Sequence, residues 1–203
     1  MTKIKLCGLS RLCDIEAANE LRPEYIGFVF APNSRRYVTR DTAAQLKEKL
    51  HPGIKAVGVF VNEQPEVVAG LLRDGVIDIA QLHGSETEEY ICQLRTLTEK
   101  PIIKAFRIDT KQDILAAQKS TADFILLDSG SGGTGTAFDW KLIPEIGRPY
   151  FLAGGLGLDN AADAVRTLKP YAVDVSSGIE TGGWKDKRKM QEFVTIVRKE
   201  ETL

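Results

Sequence analysis

Cys7 and Asp128 are the two side chains in this sequence best placed to move protons at one site. Cys7 closes the run Ile4-Lys5-Leu6-Cys7 and is followed at once by Gly8, a turn residue. Asp128 closes Phe124-Ile125-Leu126-Leu127-Asp128 and leads into the glycine-rich loop 129–135. A thiol and a carboxylate on separate strand ends, facing one substrate, suit a general base and a general acid. The plainer reading of Cys7 is a buried free thiol, since cysteine is among the most buried residue types.

Such groups act together only if strands hold them on one side of a sheet. Short apolar runs rich in β-branched residues alternate with amphipathic stretches of helical length along the whole chain. Strands are predicted at 3–7, 25–30, 54–61, 78–82, 101–107, 124–128, 150–153 and 172–175. Helices are predicted near 11–21, 39–50, 64–74, 86–97, 110–119, 139–146, 159–168 and 186–199. Asp14, Asp41, Asp113 and Asp159 mark first turns, and Pro65 sits early in the third helix. Alternating units imply a parallel sheet, and eight of them in about 200 residues imply a closed (β/α)8 TIM barrel. The predicted organisation is one barrel domain over residues 1–203. An open doubly wound sheet also alternates but rarely repeats eight times so regularly.

Residues two apart in a strand share a face. Lys3, Lys5 and Cys7 therefore point one way, as do Phe124, Leu126 and Asp128, and as do Asp174 and Ser176. If the Cys7 and Asp128 faces look into the barrel, Lys5 and Asp174 lie inside it, one layer below. A lone buried charge is very costly, so a buried Lys5–Asp174 ion pair is expected.

The chain has 43% hydrophobic and 27% charged residues, the balance of an ordinary soluble globule. Its net charge of −1, with no basic block or acidic tail, gives no reason to expect a nucleic-acid partner. The start lacks a signal-peptide core, and no apolar run approaches the ~20 residues that span a bilayer, so no membrane partner is expected. Three cysteines, Cys7, Cys13 and Cys92, are an odd number without metal-ligand spacing. That usage fits a reducing cytoplasm and predicts no metal site.

In barrels of this type the site lies at the C-terminal strand ends, and phosphate is often held by the loops after strands 7 and 8. Here those loops read Ala153-Gly154-Gly155-Leu156 and Ser176-Ser177-Gly178. Glycines let backbone N–H groups approach an anion, though tight βα turns also need them. The spacing Gly130-x-Gly132-x-x-Gly135 formally matches a dinucleotide fingerprint, but it follows the sixth strand and no acidic strand end follows it. A loop that closes over substrate or gives N–H groups to phosphate is expected instead, with Gly133 counted as substrate-binding. After strand 2, Arg35 and Arg36 suit bidentate capture of a carboxylate, against the plain alternative of surface solvation. His83, at the end of strand 4, reads as a substrate contact or a loop pin. His51, on the opposite side with Pro52 and Gly53, reads as structural.

Taken in order, Lys5-Leu6-Cys7-Gly8, Gly27-Phe28-Val29-Phe30, Ser34-Arg35-Arg36-Tyr37, Val57-Gly58-Val59-Phe60-Val61-Asn62 and Gln81-Leu82-His83-Gly84 resemble the phosphoribosylanthranilate isomerase family of tryptophan biosynthesis. So do Leu127-Asp128, Gly132-Gly133-Thr134-Gly135, Phe138-Asp139-Trp140, Gly154-Gly155-Leu156, Val173-Asp174-Val175-Ser176-Ser177-Gly178 and Lys185-Asp186. The resemblance implies a cofactor-free Amadori rearrangement of N-(5′-phosphoribosyl)anthranilate, an aldose–ketose isomerisation. It implies that Cys7 is the general base and Asp128 the general acid. It further implies that Arg36 binds the anthranilate carboxylate, while Gly154, Gly155, Ser176, Ser177 and Gly178 hold the phosphate. The expected partner is a small phosphorylated molecule, with monomer or homodimer left open. Three rivals remain: a dual-substrate barrel, which typically pairs two aspartates where this chain has Cys7 and Asp128; a binding barrel without catalysis; and an aldolase using Lys104 on strand 5.

Overall fold

The structure, a computed structural model, describes residues 1–128 and 146–200. All eight expected strands form: β1 (Lys3–Cys7), β2 (Tyr25–Val29), β3 (Lys55–Phe60), β4 (Ile79–Leu82), β5 (Ile102–Arg107), β6 (Phe124–Asp128), β7 (Tyr150–Leu152) and β8 (Ala172–Val175). They pair in parallel in chain order, and β8 returns to β1 to close the barrel. The closing register sets Lys5 opposite Asp174. The expected boundaries differ from those observed by a residue at most of the remaining ends, where the ladder stops before the apolar run does.

Helices α1 (Leu12–Leu21), α2 (Arg40–Lys49), α3 (Pro65–Arg73), α4 (Glu88–Leu97), α5 (Lys111–Gln118), α6 (Ala161–Leu168) and α7 (Lys187–Lys199) follow strands as expected. Their starts are chemically defined. Thr39 and Thr87 accept hydrogen bonds from the backbone N–H groups of Thr42 and Tyr90. Thr110 and Asp113 form a reciprocal capping box, and Asp186 caps α7. Asp159 does not open α6, which begins two residues after the expected start. Asn160 precedes it and ties down the preceding loop: its Oδ1 accepts from Gly157 N at 2.9 Å and its Nδ2 donates to Gly155 O at 2.9 Å. The helix expected near 139–146 and the loop 129–135, with Gly133, lie almost wholly or wholly outside the described residues.

Strand alternation divides the core in two. One set, including Leu6, Phe28, Phe60, Ile125 and Val173, packs between the sheet and the helices. The other, including Val57, Ile103, Leu126 and Phe151, fills the barrel itself. At its base Phe151 packs on Tyr25, Phe124 and Tyr171 with ring centroids 5.4, 5.8 and 5.7 Å apart. Lys3 closes that end, donating to the Tyr171 hydroxyl at 2.7 Å. The opposite end narrows to Cys7, Val29 and Val59 and stays open.

A feature absent from the sequence reading follows β8. A 3-10 turn (Ser177–Ile179) leads into a two-stranded antiparallel hairpin, β9 (Glu180–Thr181) and β10 (Trp184–Lys185), turned by Gly182 and Gly183. Trp184, half exposed there, lies under the Arg11 guanidinium at 5.0 Å.

Candidate active site

One pocket opens at the C-terminal strand ends. Cys7, Arg36, His83, Asp128, Gly154, Gly155, Ser176 and Ser177 all line it, as do Ser34, Gln81 and Asp174. Six strands thus deliver polar groups to one mouth. Gly178 is not among the lining residues but stands behind them: a Cβ there would lie 2.1 Å from Leu156 O, so only glycine lets the β7 and β8 loops touch.

Cys7 is 8% exposed, and Ser176 Oγ donates to its carbonyl at 3.1 Å, tying β8 to β1 at the rim. Below it, Lys5 Nζ donates to Asp174 Oδ2 at 2.8 Å, the buried pair that strand alternation predicts. Asp174, expected in the layer below the mouth, also lines the pocket.

Asp128 sits with Oδ2 at 3.2 Å from His83 Nε2. On its other side His83 Nδ1 is 2.9 Å from Gln81 Nε2. With the Gln81 amide nitrogen donating, the imidazole proton lies on Nε2 and points at Asp128. The Asp128 Oδ1 atom is buried and makes no hydrogen bond among the described residues. His83 is therefore both a pocket residue and a partner of the carboxylate.

Arg36 is held on its Nε side. Its Nε donates to Glu180 Oε1 at 2.7 Å and its Nη2 to Glu180 Oε2 at 3.1 Å. Lys185 Nζ donates to Glu180 Oε1 at 2.7 Å, and Arg35 Nη2 to Oε2 at 2.5 Å. Glu180 thus anchors three cations on the hairpin, a cluster that sequence spacing did not reveal. The Arg36 side chain lies against Gly8, where a Cβ would meet its Cδ at 2.5 Å. The Arg35 side chain is 58% exposed against 18% for Arg36, so Arg36 is the arginine presented to the pocket.

Burial alone would raise the Glu180 carboxyl, but hydrogen bonds from Arg36 and Lys185 outweigh it and hold the group below its usual range. For Lys185, 8% exposed and facing the like charge of Arg36, burial dominates and its pKa falls. Pairing wins for the carboxylate and desolvation for the ammonium. Burial likewise pushes the Cys7 thiol up, with Asp174 adding to the rise and Lys5 and Lys185 opposing it.

Lys104, the aldolase candidate, is 5% exposed and does not line the pocket. Its Nζ donates to Glu86 Oε2 at 2.9 Å and to Gly84 O at 2.7 Å, bracing the loop that carries His83.

Comparison with known proteins identifies the family of the chain. A family model described as N-(5′phosphoribosyl)anthranilate (PRA) isomerase matches residues 4–196. The chain belongs to the phosphoribosylanthranilate isomerase family. It is 45% identical over 202 residues to the N-(5′-phosphoribosyl)anthranilate isomerase of Endomicrobium trichonymphae, covering 98% of this chain and 99% of that one. The crystal structure of phosphoribosyl anthranilate isomerase from Thermotoga maritima superposes with a TM-score of 0.90 at 34% identity, covering 98% of this chain and 100% of that one. A phosphoribosyl anthranilate isomerase in complex with reduced 1-(o-carboxyphenylamino)-1-deoxyribulose 5-phosphate superposes with a TM-score of 0.88 at 33% identity, covering 98% and 100%. Against the phosphoribosylanthranilate isomerase expectation, the described residues bring together every candidate except Gly178, which packs behind the mouth, and Gly133, which falls outside them. Gln81 and Lys185 stand in stretches that carry the family resemblance but were given no role there, and Glu180 stands in none of them; each is engaged with a candidate residue or its partner.

Proposed function

We propose that the chain isomerises N-(5′-phosphoribosyl)anthranilate to 1-(o-carboxyphenylamino)-1-deoxyribulose 5-phosphate in tryptophan biosynthesis, as an aldose–ketose isomerase of the intramolecular oxidoreductase class. The observation that carries this reading is the convergence of Cys7 and Asp128 on one pocket with Arg36 and the glycine-rich loops after β7 and β8, in a chain of the isomerase family.

Asp128 acts as the general acid, protonating the furanose ring oxygen so that the ring opens to a protonated imine. Cys7, as the thiolate, removes the C2′ proton that the imine has acidified, and the resulting enamine tautomerises to the ketone. An ordinary carboxyl is ionised and an ordinary thiol protonated at neutral pH, so each group must be pushed the other way. The positive imine beside Cys7 favours the thiolate.

Arg36 takes the anthranilate carboxylate with the donors that Glu180 leaves free. Gly154 and Gly155, both in the left-handed region at φ of 81° and 65°, line the mouth beside Ser177 and supply backbone N–H groups for the phosphate in this reading. Ser176, His83 and Gly133 complete the substrate-binding set, with Gly178 packed behind them to hold the two loops together. Replacement Arg36→Met tests the orientation of the substrate: KM for phosphoribosylanthranilate should rise about tenfold or more, the worth of a charged hydrogen bond, with a smaller change in kcat. Unchanged KM and kcat would remove Arg36 from carboxylate binding.

A further inference from the structure

Lys5 is wholly buried at 0% exposure, which a lysine tolerates only beside a counter-charge. Its Nζ donates to Asp174 Oδ2 at 2.8 Å, and Asp174 Oδ1 has no hydrogen-bond partner among the described residues. The two-residue period of β1 puts Lys5 on the face of Cys7, one layer beneath the mouth. Cys7 and Asp174 both line the pocket. One ammonium therefore faces two groups that can be anions. We propose that Lys5 and Asp174 are positioning residues that set the ionisation of Cys7. The Lys5 ammonium is shared between the Asp174 carboxylate and the Cys7 thiolate, and Asp174 limits how much of it the thiolate receives. The proposal rests on the reading of Cys7 as the base.

The balance of charges around the thiol supports this assignment. Burial raises Cys7 and Asp174 raises it further, whereas Lys5 and then Lys185 lower it. Burial pulls Lys5 down, but Asp174 and Cys7 outweigh it, and the ammonium stays charged. Lys185, on β10 and bound to Glu180, acts on the thiol through its charge alone. Arg36 faces the same pocket from the β2 loop, His83 from the end of β4 and Asp128 from the end of β6. Of these groups, Lys5 alone lies beneath Cys7 on its own strand, engaged by a carboxylate with a free oxygen.

The test uses the full chain with the exposed Cys13 and Cys92 changed to Ser, so that only Cys7 reports. Its thiolate is read by the pH dependence of iodoacetamide alkylation and of ultraviolet thiolate absorbance. Asp174→Asn is compared with Lys5→Met/Asp174→Asn, neither of which leaves a lone buried carboxylate; Asp174→Ser and Lys5→Gln/Asp174→Asn serve where the first pair does not fold. The Cys7 midpoint should fall by about one pH unit or more in Asp174→Asn, the effect of an opposite charge at close range, and rise again in the double variant. Coincident midpoints in the single and double variants overturn the proposal, as does a single variant titrating at or above the parent. A purely structural ion pair would not order the three proteins this way. If the expected order appears while Cys7→Ala keeps its turnover, the ionisation assignment stands and the base assignment falls.

Discussion

Glu180, just beyond the Val173–Gly178 stretch, holds a motif arginine that is distant in sequence. Its carboxylate fixes the Nε side of Arg36 and shares its oxygens with Lys185 and Arg35. Because its folded pKa is lowered, its stabilising effect is fully present above the ordinary value of 4.5 and is lost as pH falls through the lower folded value. Glu180→Gln should therefore lose less stability than the parent between neutral and strongly acidic pH, measured as urea midpoints. The same variant should raise KM on the order of tenfold at neutral pH, since Arg36 loses a charge-assisted partner. An acid profile parallel to the parent's would contradict the first expectation, and an unchanged KM the second. Cys7, Asp128 and Arg36 were legible from the sequence because each ends a strand or follows one. Glu180 and Lys185 were not, because their importance lies in which distant side chains they reach.

At the scale of elements, strand alternation was legible throughout: it puts Lys5 and Asp174 on inward faces in one layer, and β1 and β8 pair with those two residues in register. The β9–β10 hairpin escaped because two-residue strands carry no periodicity. The Gly182-Gly183 pair was the available signal, a dipeptide suited to tight hairpin turns. The packing role of Gly178 was hidden for a related reason, since a glycine needed for close backbone approach looks the same in sequence as one that binds phosphate. A methyl group at Gly178 would meet the Leu156 carbonyl and, at 2.8 Å, Gly157 Cα. Backbone cannot swing aside as a flexible side chain can. Gly178→Ala should accordingly displace the β7 loop and weaken inorganic phosphate binding and substrate KM by about tenfold or more, one misplaced charged hydrogen bond. Wild-type phosphate affinity in a folded Gly178→Ala protein would show that the two loops move independently.

The whole molecule separates stability from chemistry along the barrel axis. Phe151, fully buried among Tyr25, Phe124 and Tyr171, fills the base, while Cys7 and Asp128 stand at the opposite rim. Truncating a buried Phe to Ala costs ~3–5 kcal/mol. At ~2–4 °C per kcal/mol for a chain of this size, Phe151→Ala should lower Tm by roughly 6–20 °C. Its kcat and KM at 25 °C should stay near the parent's, because the rim is built by loops at the other end. A folded Phe151→Ala protein with strongly reduced kcat would show that the base and the rim are coupled.

The assignment of the proton transfers of phosphoribosylanthranilate isomerisation to Cys7 and Asp128 carries the proposed function. It is tested most directly by following the loss of anthranilate fluorescence when purified protein meets freshly generated phosphoribosylanthranilate, with Cys7→Ala and Asp128→Ala measured beside it. Rapid turnover by the parent chain is expected, with a loss of at least ~10²-fold in kcat for each variant, the lower range for general acid–base catalysis. Near-parental turnover by either variant, or none by the parent chain, would contradict it.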